Sequence, residues 1–236
     1  MAVWLTFNGA GLTSHAGYGL GAGGVPPLPP LPPMERSGIR GIWANGTEPS
    51  NRKGDKYPVY NDAGLNIWDV VPQRGTYDMQ VILLDDTNLV EIIDADTTGI
   101  KYYVNAFQGC TGLVRVRKFE VHGSNVSIQG MFDGCTALEE VALFDTSNVR
   151  DMERIFRNCS SLRAIPDFAL DNIYSMAYAF EGCTSVHTGA LSLYNKAASL
   201  SPEPVHDNTF NNTGVNDPAG YQELLQIPES WGGLGA

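Results

Sequence analysis

Residues 131–162 read MFDGCTALEEVALFDTSNVRDMERIFRNCSSL, and two motifs in this stretch return through the middle of the chain. The first motif begins with Leu and ends with Ile or Val, and it recurs every 24 or 25 residues, at 89–92, 113–116, 138–141 and 162–165. The second is Phe-x-x-Cys, at 107–110, 132–135, 156–159 and 180–183. A fixed period of this size indicates repeats that stack and bury each other's apolar face.

Each repeat offers one short strand and then a turn rich in Asp, Thr, Ser and Asn. We expect this turn to lead into a helical turn, as at 148–156, where Asn148 is a candidate N-cap. Met152, Ile155 and Phe156 would then share one helix face. The pattern therefore predicts an α+β solenoid with short parallel strands and helical turns.

The four cysteines occupy one position of four successive repeats. We therefore predict a column of buried thiols rather than disulfides, because small apolar side chains suit a tight corner. A zinc site is disfavoured because ligands in a line do not converge on one ion. These cysteines are Cys110, Cys135, Cys159 and Cys183.

The phrases at 131–138 and 144–152 resemble the BspA-type leucine-rich repeat. That family occurs in surface proteins of gut and oral bacteria, in mycoplasma lipoproteins, and in phages and prophages. The resemblance covers about residues 89 to 190 and implies a leucine-rich repeat solenoid that serves adhesion and display rather than catalysis. Residues 189–194 and 226–231 resemble the C-terminal caps of the phage and prophage members.

The flanking segments predict five regions in all. Residues 35–88 contain short strand patterns between turn signals, which predict a β-rich N-terminal cap over the first repeat. Residues 89–188 form the solenoid, and 189–236 a helical C-terminal cap with helices near 190–200 and 218–225. An extended Gly/Pro-rich N-terminal arm precedes these regions.

The arm is divided by composition, and residues 1–34 contain no Asp, Glu, Lys or Arg. Residues 1–24 are rich in glycine, and we interpret them as an anchor that orders only against a partner, through Trp4, Phe7 and Tyr18. The alternative is a disordered tail.

Residues 25–34 read VPPLPPLPPM, which predicts a polyproline II linker with three residues per turn. Val25, Leu28, Leu31 and Met34 therefore line one edge of this linker. That edge would dock on a virion structural protein or pack against copies of itself in a homotrimer. The alternative is a stiff spacer.

Charge and hydropathy exclude other partners. The net charge of −11 and the pI of about 4.7 argue against nucleic acid, which needs a basic face. No stretch approaches the roughly 20 apolar residues of a membrane helix, so we expect no membrane insertion. The first seven residues lack the basic start of an export signal. This favours a phage protein assembled inside the cell over an exported surface protein.

Several short motifs resemble nucleotide-binding, calcium-binding or catalytic sites, but the residues around them do not fit such sites. Residues 19–24 fit G-x-G-x-x-G, but prolines follow where the phosphate-binding helix should begin. Residues 94–99 resemble the start of a calcium loop, yet Asn105 stands where the bidentate glutamate belongs. The four histidines are dispersed, with no nucleophile elbow near them. We therefore predict no enzyme, no cofactor and no metal.

The outward positions of the strand motif give the predicted ligand-binding face. One column contains Glu91, Arg115 and Glu140, whose alternating charges would pair across neighbouring strands. A second column contains Arg117, which has no acidic neighbour in that column. Arg117 is therefore the strongest candidate for a ligand contact.

Together these features predict a non-enzymatic phage virion protein, a fibre or decoration on the virion surface. Residues 1–34 would attach it to a virion structural protein, and the repeats would bind a host cell-surface glycan or protein. One alternative is a cell-encoded adhesin on the bacterial cell surface. Another is a purely structural virion component with no host ligand.

Overall fold

Strands dominate the regular structure of the chain. The computed structural model describes residues 5–8, 11–14, 31–34, 37–44, 47–49, 54–62, 65–72, 83–100 and 102–235. Its strands are β1 (Leu5–Asn8), β2 (Gly11–Ser14), β3 (Gly38–Trp43), β4 (Gly54–Asp62), β5 (Leu65–Pro72), β6 (Leu89–Asp96), β7 (Arg115–Val116), β8 (Val126–Ser127), β9 (Glu140–Val141) and β10 (Val149–Asp151). Near the C-terminus follow α1 (Ala190–Ala198), α2 (Pro218–Leu224) and a 3-10 helix (Glu229–Trp231).

Six of these strands form one mixed sheet in the order β4-β5-β3-β6-β7-β9. The pairs β4–β5, β5–β3 and β3–β6 are antiparallel, whereas β6–β7 and β7–β9 are parallel. The pairing changes from antiparallel to parallel at β6, where the 24-residue repeat begins. Parallel neighbours need a connection of a dozen or more residues, and the repeat is long enough to provide one. Strands β1 and β2 pair separately, and so do β8 and β10.

The predicted α+β solenoid is wrong. The described chain is mainly the mixed sheet, and its α-helices are two short ones, of 9 and 7 residues. Strands β7 and β9 pair over only two residues each. The predicted β-rich cap contributes β3, β4 and β5 to the same sheet as β6.

The helical turns predicted within the repeats are wrong as well. Where 148–156 was expected to be helical, the chain forms β10 and then hydrogen-bonded turns. The physical reason is the backbone at two positions of this repeat. Arg154 and Asn158 have φ values of 56° and 62°, in the left-handed region that a right-handed helix excludes. Gly134 holds the equivalent place to Asn158 one repeat earlier, with φ of 76°.

The predicted helical C-terminal cap is also wrong, since most of residues 199–217 and 225–235 lie in turns and irregular structure. The two helices themselves lie within the ranges that the sequence favours. Helix α2 begins where the Asp217 carboxylate accepts hydrogen bonds from the backbone N–H groups of Ala219 and Gly220. Pro218 suits the first helical position, because its missing N–H has no partner there in any case.

The core consists of columns that follow the repeat. Five phenylalanine rings stack with centroids 5.3–6.0 Å apart, and all are buried. They are Phe107, Phe132, Phe156, Phe180 and Phe210. The four cysteines are free and buried, as predicted, and each thiol donates to a carbonyl of the preceding repeat or segment at 2.9–3.1 Å.

A buried ion pair links the end of the proline-rich segment to the sheet. Arg40 on β3 is 5% exposed and contacts the Asp69 carboxylate on β5 through two hydrogen bonds of 2.7 Å. Its remaining terminal nitrogen donates to the carbonyl of Pro32. The hydrogen bonds that Arg40 donates to the Asp69 carboxylate raise the pKa of Arg40. This contact therefore holds residues 31–34 against the sheet at Arg40.

Candidate functional site

The predicted strand face is an ion-pair network centred on Glu91. The Glu91 carboxylate, in a residue that is 7% exposed, contacts Nη1 of Arg115 at 3.5 Å and also Nε of Arg117. Arg115 in turn contacts Glu140 at 3.0 Å. Arg117 has no acidic neighbour in its own column, but it is nevertheless paired, because Glu91 of the other column reaches it diagonally across the parallel strands. A ligand role for these four residues stays a prediction.

The strand face ends in an open groove of about 430 Å³ beside Pro166. In earlier repeats the strand ladder continues through backbone bonds from Arg117 to Ile92 and from Ala142 to Val116, both 2.9 Å. Pro166 holds the equivalent position in the next repeat and has no N–H to donate to the Val141 carbonyl. That one hydrogen bond is therefore missing, and the groove lies beside the exposed side chain of Leu143.

A different surface carries an arginine stacked on a tyrosine. The guanidinium carbon of Arg150 lies 5.3 Å from the ring centroid of Tyr174, and the tyrosine is 58% exposed. The two residues lie 24 positions apart, in the same place of successive repeats. A 2.7 Å bond from the Tyr174 N–H to the Arg150 carbonyl holds their backbones together. The exposed guanidinium of Arg150 therefore lies over the ring of an exposed neighbour.

Arg150 differs from every other lysine and arginine that the structure describes, since each of those lies within 4.0 Å of a carboxylate. The paired cations are Arg40, Lys56, Arg115, Arg117, Lys118, Arg154, Arg157, Arg163 and Lys196. Within the described part of the chain, Arg150 is thus the one cation without an ion pair. Arg150 lies outside the strand motif, so the outward columns of that motif do not reveal it; the 24-residue spacing between Arg150 and Tyr174 is the sequence signal that could have identified it.

One group of side chains has the types that hold metal ions. One ligand atom from each of Asp96, Glu120 and His122 lies within 4.8 Å of the others. The Lys118 ammonium contacts Glu120 at 3.2 Å, and His122 contacts the same carboxylate at 3.3 Å. The backbone N–H of Thr98 lowers the pKa of Asp96. A cation placed here would meet the Lys118 charge, so absence of a metal remains our prediction.

Most of the predicted anchor residues lie outside the described residues, namely Trp4, Tyr18, Val25 and Leu28, together with the glycine motif at 19–24. Phe7 contributes its backbone to β1, and its side chain is not described. Leu31 and Met34 are both half-buried. Their proposed roles in anchoring or in a homotrimer stay predictions.

A comparison with known protein families gives a match to the middle of the chain. A family model described as "Mycoplasma protein of unknown function, DUF285" matches residues 77–199, more than half of the 236-residue chain. The search of curated proteins and the search of solved structures each find no match. Among the residues that the structure describes, no helix is both long and apolar enough to cross a membrane.

Proposed function

The chain belongs to the DUF285 family, and from this premise we propose that it is a non-enzymatic adhesion protein built on BspA-type repeats. It is carried on the surface of a phage particle as a fibre or decoration, and its N-terminal arm attaches it there. The repeats face outward and bind a glycan or protein of the host cell surface.

The observation that carries this proposal is the contrast between a constant core and a varied surface. The buried columns repeat Phe and Cys almost without change, whereas the outward positions change from one repeat to the next. One outward position is occupied in successive repeats by Glu91, Arg115 and Glu140. Another is occupied by Arg150 and then Tyr174. A scaffold whose core is fixed while its surface varies suits recognition, because binding lies in sites placed on the fold.

The arm contributes the second line of support. Its last described residues are tied to the sheet through the hydrogen bond from Arg40 to the Pro32 carbonyl. Arg40 is itself held by Asp69, so the arm departs from a rigid part of the sheet rather than from a loose end. An uncharged arm with a fixed origin suits attachment to a particle, while the acidic repeat region suits exposure to solvent.

Immunogold electron microscopy of the culture that produces the protein tests the location. The antibody is raised against the whole chain, and gold on phage particles is the expected result. Gold on cell envelopes instead would identify a cell-encoded surface adhesin. Label confined to the cytoplasm would overturn both functions.

A second measurement separates adhesion from a purely structural role. Fluorescently labelled full-length protein is incubated with host cells and with unrelated bacteria, and bound fluorescence is measured by flow cytometry. Adhesion predicts saturable binding to the host cells. Gold on particles together with no binding to host cells would leave the protein as a structural virion component.

A further inference from the structure

We propose that Arg150 and Tyr174 form a docking site for an acidic segment of a protein partner. This inference rests on the proposed function, because it assigns the chemistry of the partner that the displayed repeats bind. The site lies where Arg150 of β10 meets Tyr174 of the next repeat, separate from the ion-paired strand face.

The charge of Arg150 determines the chemistry of the partner. The chain carries a net charge of −11, and the other described lysines and arginines already contact carboxylates. Arg150 is exposed and has no such partner among the described residues. A planar guanidinium offers several N–H donors in a geometry that matches a carboxylate. The missing complement is therefore a glutamate or aspartate side chain supplied from outside.

Tyr174 adds contact area to this site and restricts the movement of the Arg150 side chain. Its ring supports the guanidinium, so less side-chain freedom remains to be lost when Arg150 binds a carboxylate. Tyrosine and arginine are also the residue types most enriched in the energetic centres of protein interfaces.

The same geometry favours a protein over a sugar. The guanidinium of Arg150 already covers one face of the Tyr174 ring, and a stacked sugar would need such a face. The strand face is a weaker site for the same partner, because Glu91 and Glu140 already pair with its two arginines. An incoming carboxylate would have to displace those contacts first.

The test uses two blocked peptides, acetyl-Gly-Leu-Glu-Leu-Gly-amide and the same peptide with Gln in place of Glu. Binding to the full-length protein is measured by NMR titration. The Glu peptide is expected to bind about threefold to fivefold more tightly, which is the upper range for an exposed ion pair. Arg150→Gln should bring this ratio to about one, and Tyr174→Ala should weaken the binding of both peptides.

Arg163→Gln is the matched control, since Arg163 is also exposed but contacts Glu139 at 3.3 Å. It should leave the ratio unchanged. Equal binding of the two peptides by the unmodified protein, or an unchanged ratio in Arg150→Gln, would overturn the proposal. So would Arg150-dependent binding of oligogalacturonate without binding of the Glu peptide, which would point to an acidic glycan.

The failure of this inference is distinguishable from that of the proposed function. Immunogold labelling of particles depends on the arm and not on Arg150. If the proposal holds, particles carrying Arg150→Gln keep the gold label and bind host cells measurably more weakly. Retention of full cell binding by these particles would refute the docking site and leave the adhesion function standing.

Discussion

The middle ring of the phenylalanine column offers the most direct test of how the repeats hold together. Phe132 is fully buried, and its ring centroid lies 5.3 Å from those of both Phe107 and Phe156. The interplanar angles are 10° and 3°, so all three rings are stacked. Phe132 also makes an edge-on contact with Phe119, with ring centroids 6.4 Å apart. Phe132→Leu keeps an apolar side chain in the core but removes all three aromatic contacts.

The expected cost follows from those three contacts. An aromatic pair contributes about 0.5–1.5 kcal/mol beyond the area that it buries, so three pairs give about 1.5–4.5 kcal/mol. Phe132→Leu should lower the free energy of unfolding by that amount, because leucine retains most of the burial. Phe132→Ala should cost about 3–5 kcal/mol, since a cavity is then left between two repeats.

Urea unfolding followed by circular dichroism measures these differences. Leu143→Ala is the control, since Leu143 is 63% exposed and its truncation should change stability by no more than about 0.5 kcal/mol. The reasoning fails if Phe132→Leu costs no more than this control. It also fails if Phe132→Leu and Phe132→Ala are equally costly, because the burial that leucine retains would then contribute nothing to stability.

Three further predictions concern the thiols, the ion-pair network and acid stability. Burial raises the pKa of every cysteine, so a thiol reagent at pH 8 should modify none in the folded protein and all four in urea. Glu91→Gln should lower the free energy of unfolding by about 1–3 kcal/mol, because it leaves two arginines without their buried partner; Glu140→Gln, at the exposed end, should cost under about 1 kcal/mol in the same assay. The hydrogen bond from the backbone N–H of Ser147 lowers the pKa of Asp145 in the folded protein. The ionised Asp145 carboxylate therefore stabilises the folded state above the unfolded pKa of about 3.9, and this contribution is lost as the pH falls through the lower folded pKa. The melting temperature should therefore fall below about pH 4, and Asp145→Asn should reduce that fall.

The sequence predicted the core columns because their cause is local. One buried Phe and one buried Cys per repeat are enough to set the spacing, and a fixed period places equivalent residues next to each other in space. Pairing of neighbouring repeats then follows from backbone hydrogen bonds, such as that from the Phe132 N–H to the Ile155 carbonyl at 2.9 Å. No distant segment is needed to predict this part.

The turns between the strands could not be predicted in the same way. The apolar spacing of Met152, Ile155 and Phe156 fits a helix, and all three are buried, as expected. Their burial arises instead from a chain reversal in which Arg154 and Asn158 adopt positive φ. Arginine has no intrinsic preference for this conformation, so the neighbouring repeats must impose it. Hydrophobic spacing alone does not distinguish the two backbones.

The candidate site required three-dimensional information for a similar reason. A column read straight across the strands pairs Glu91 with Arg115 and leaves Arg117 apparently free. The side chain of Glu91 also reaches diagonally and binds both arginines, which removes the charge that made Arg117 a candidate. Arg150 became a candidate for the same reason, because it is the one described lysine or arginine that has no carboxylate within ion-pair distance.

Binding and stability can be tested separately, because the candidate docking residues are exposed whereas the phenylalanine column is buried. Arg150 and Tyr174 point away from the phenylalanine column and are both exposed, so their substitution removes little buried area. Changes within about 0.5 kcal/mol are usual for such positions, and a loss of binding would not result from unfolding. Phe132 has the opposite character, because it has no access to solvent and its loss acts through stability. A protein whose binding responds to Arg150→Gln at constant stability would therefore use this surface directly.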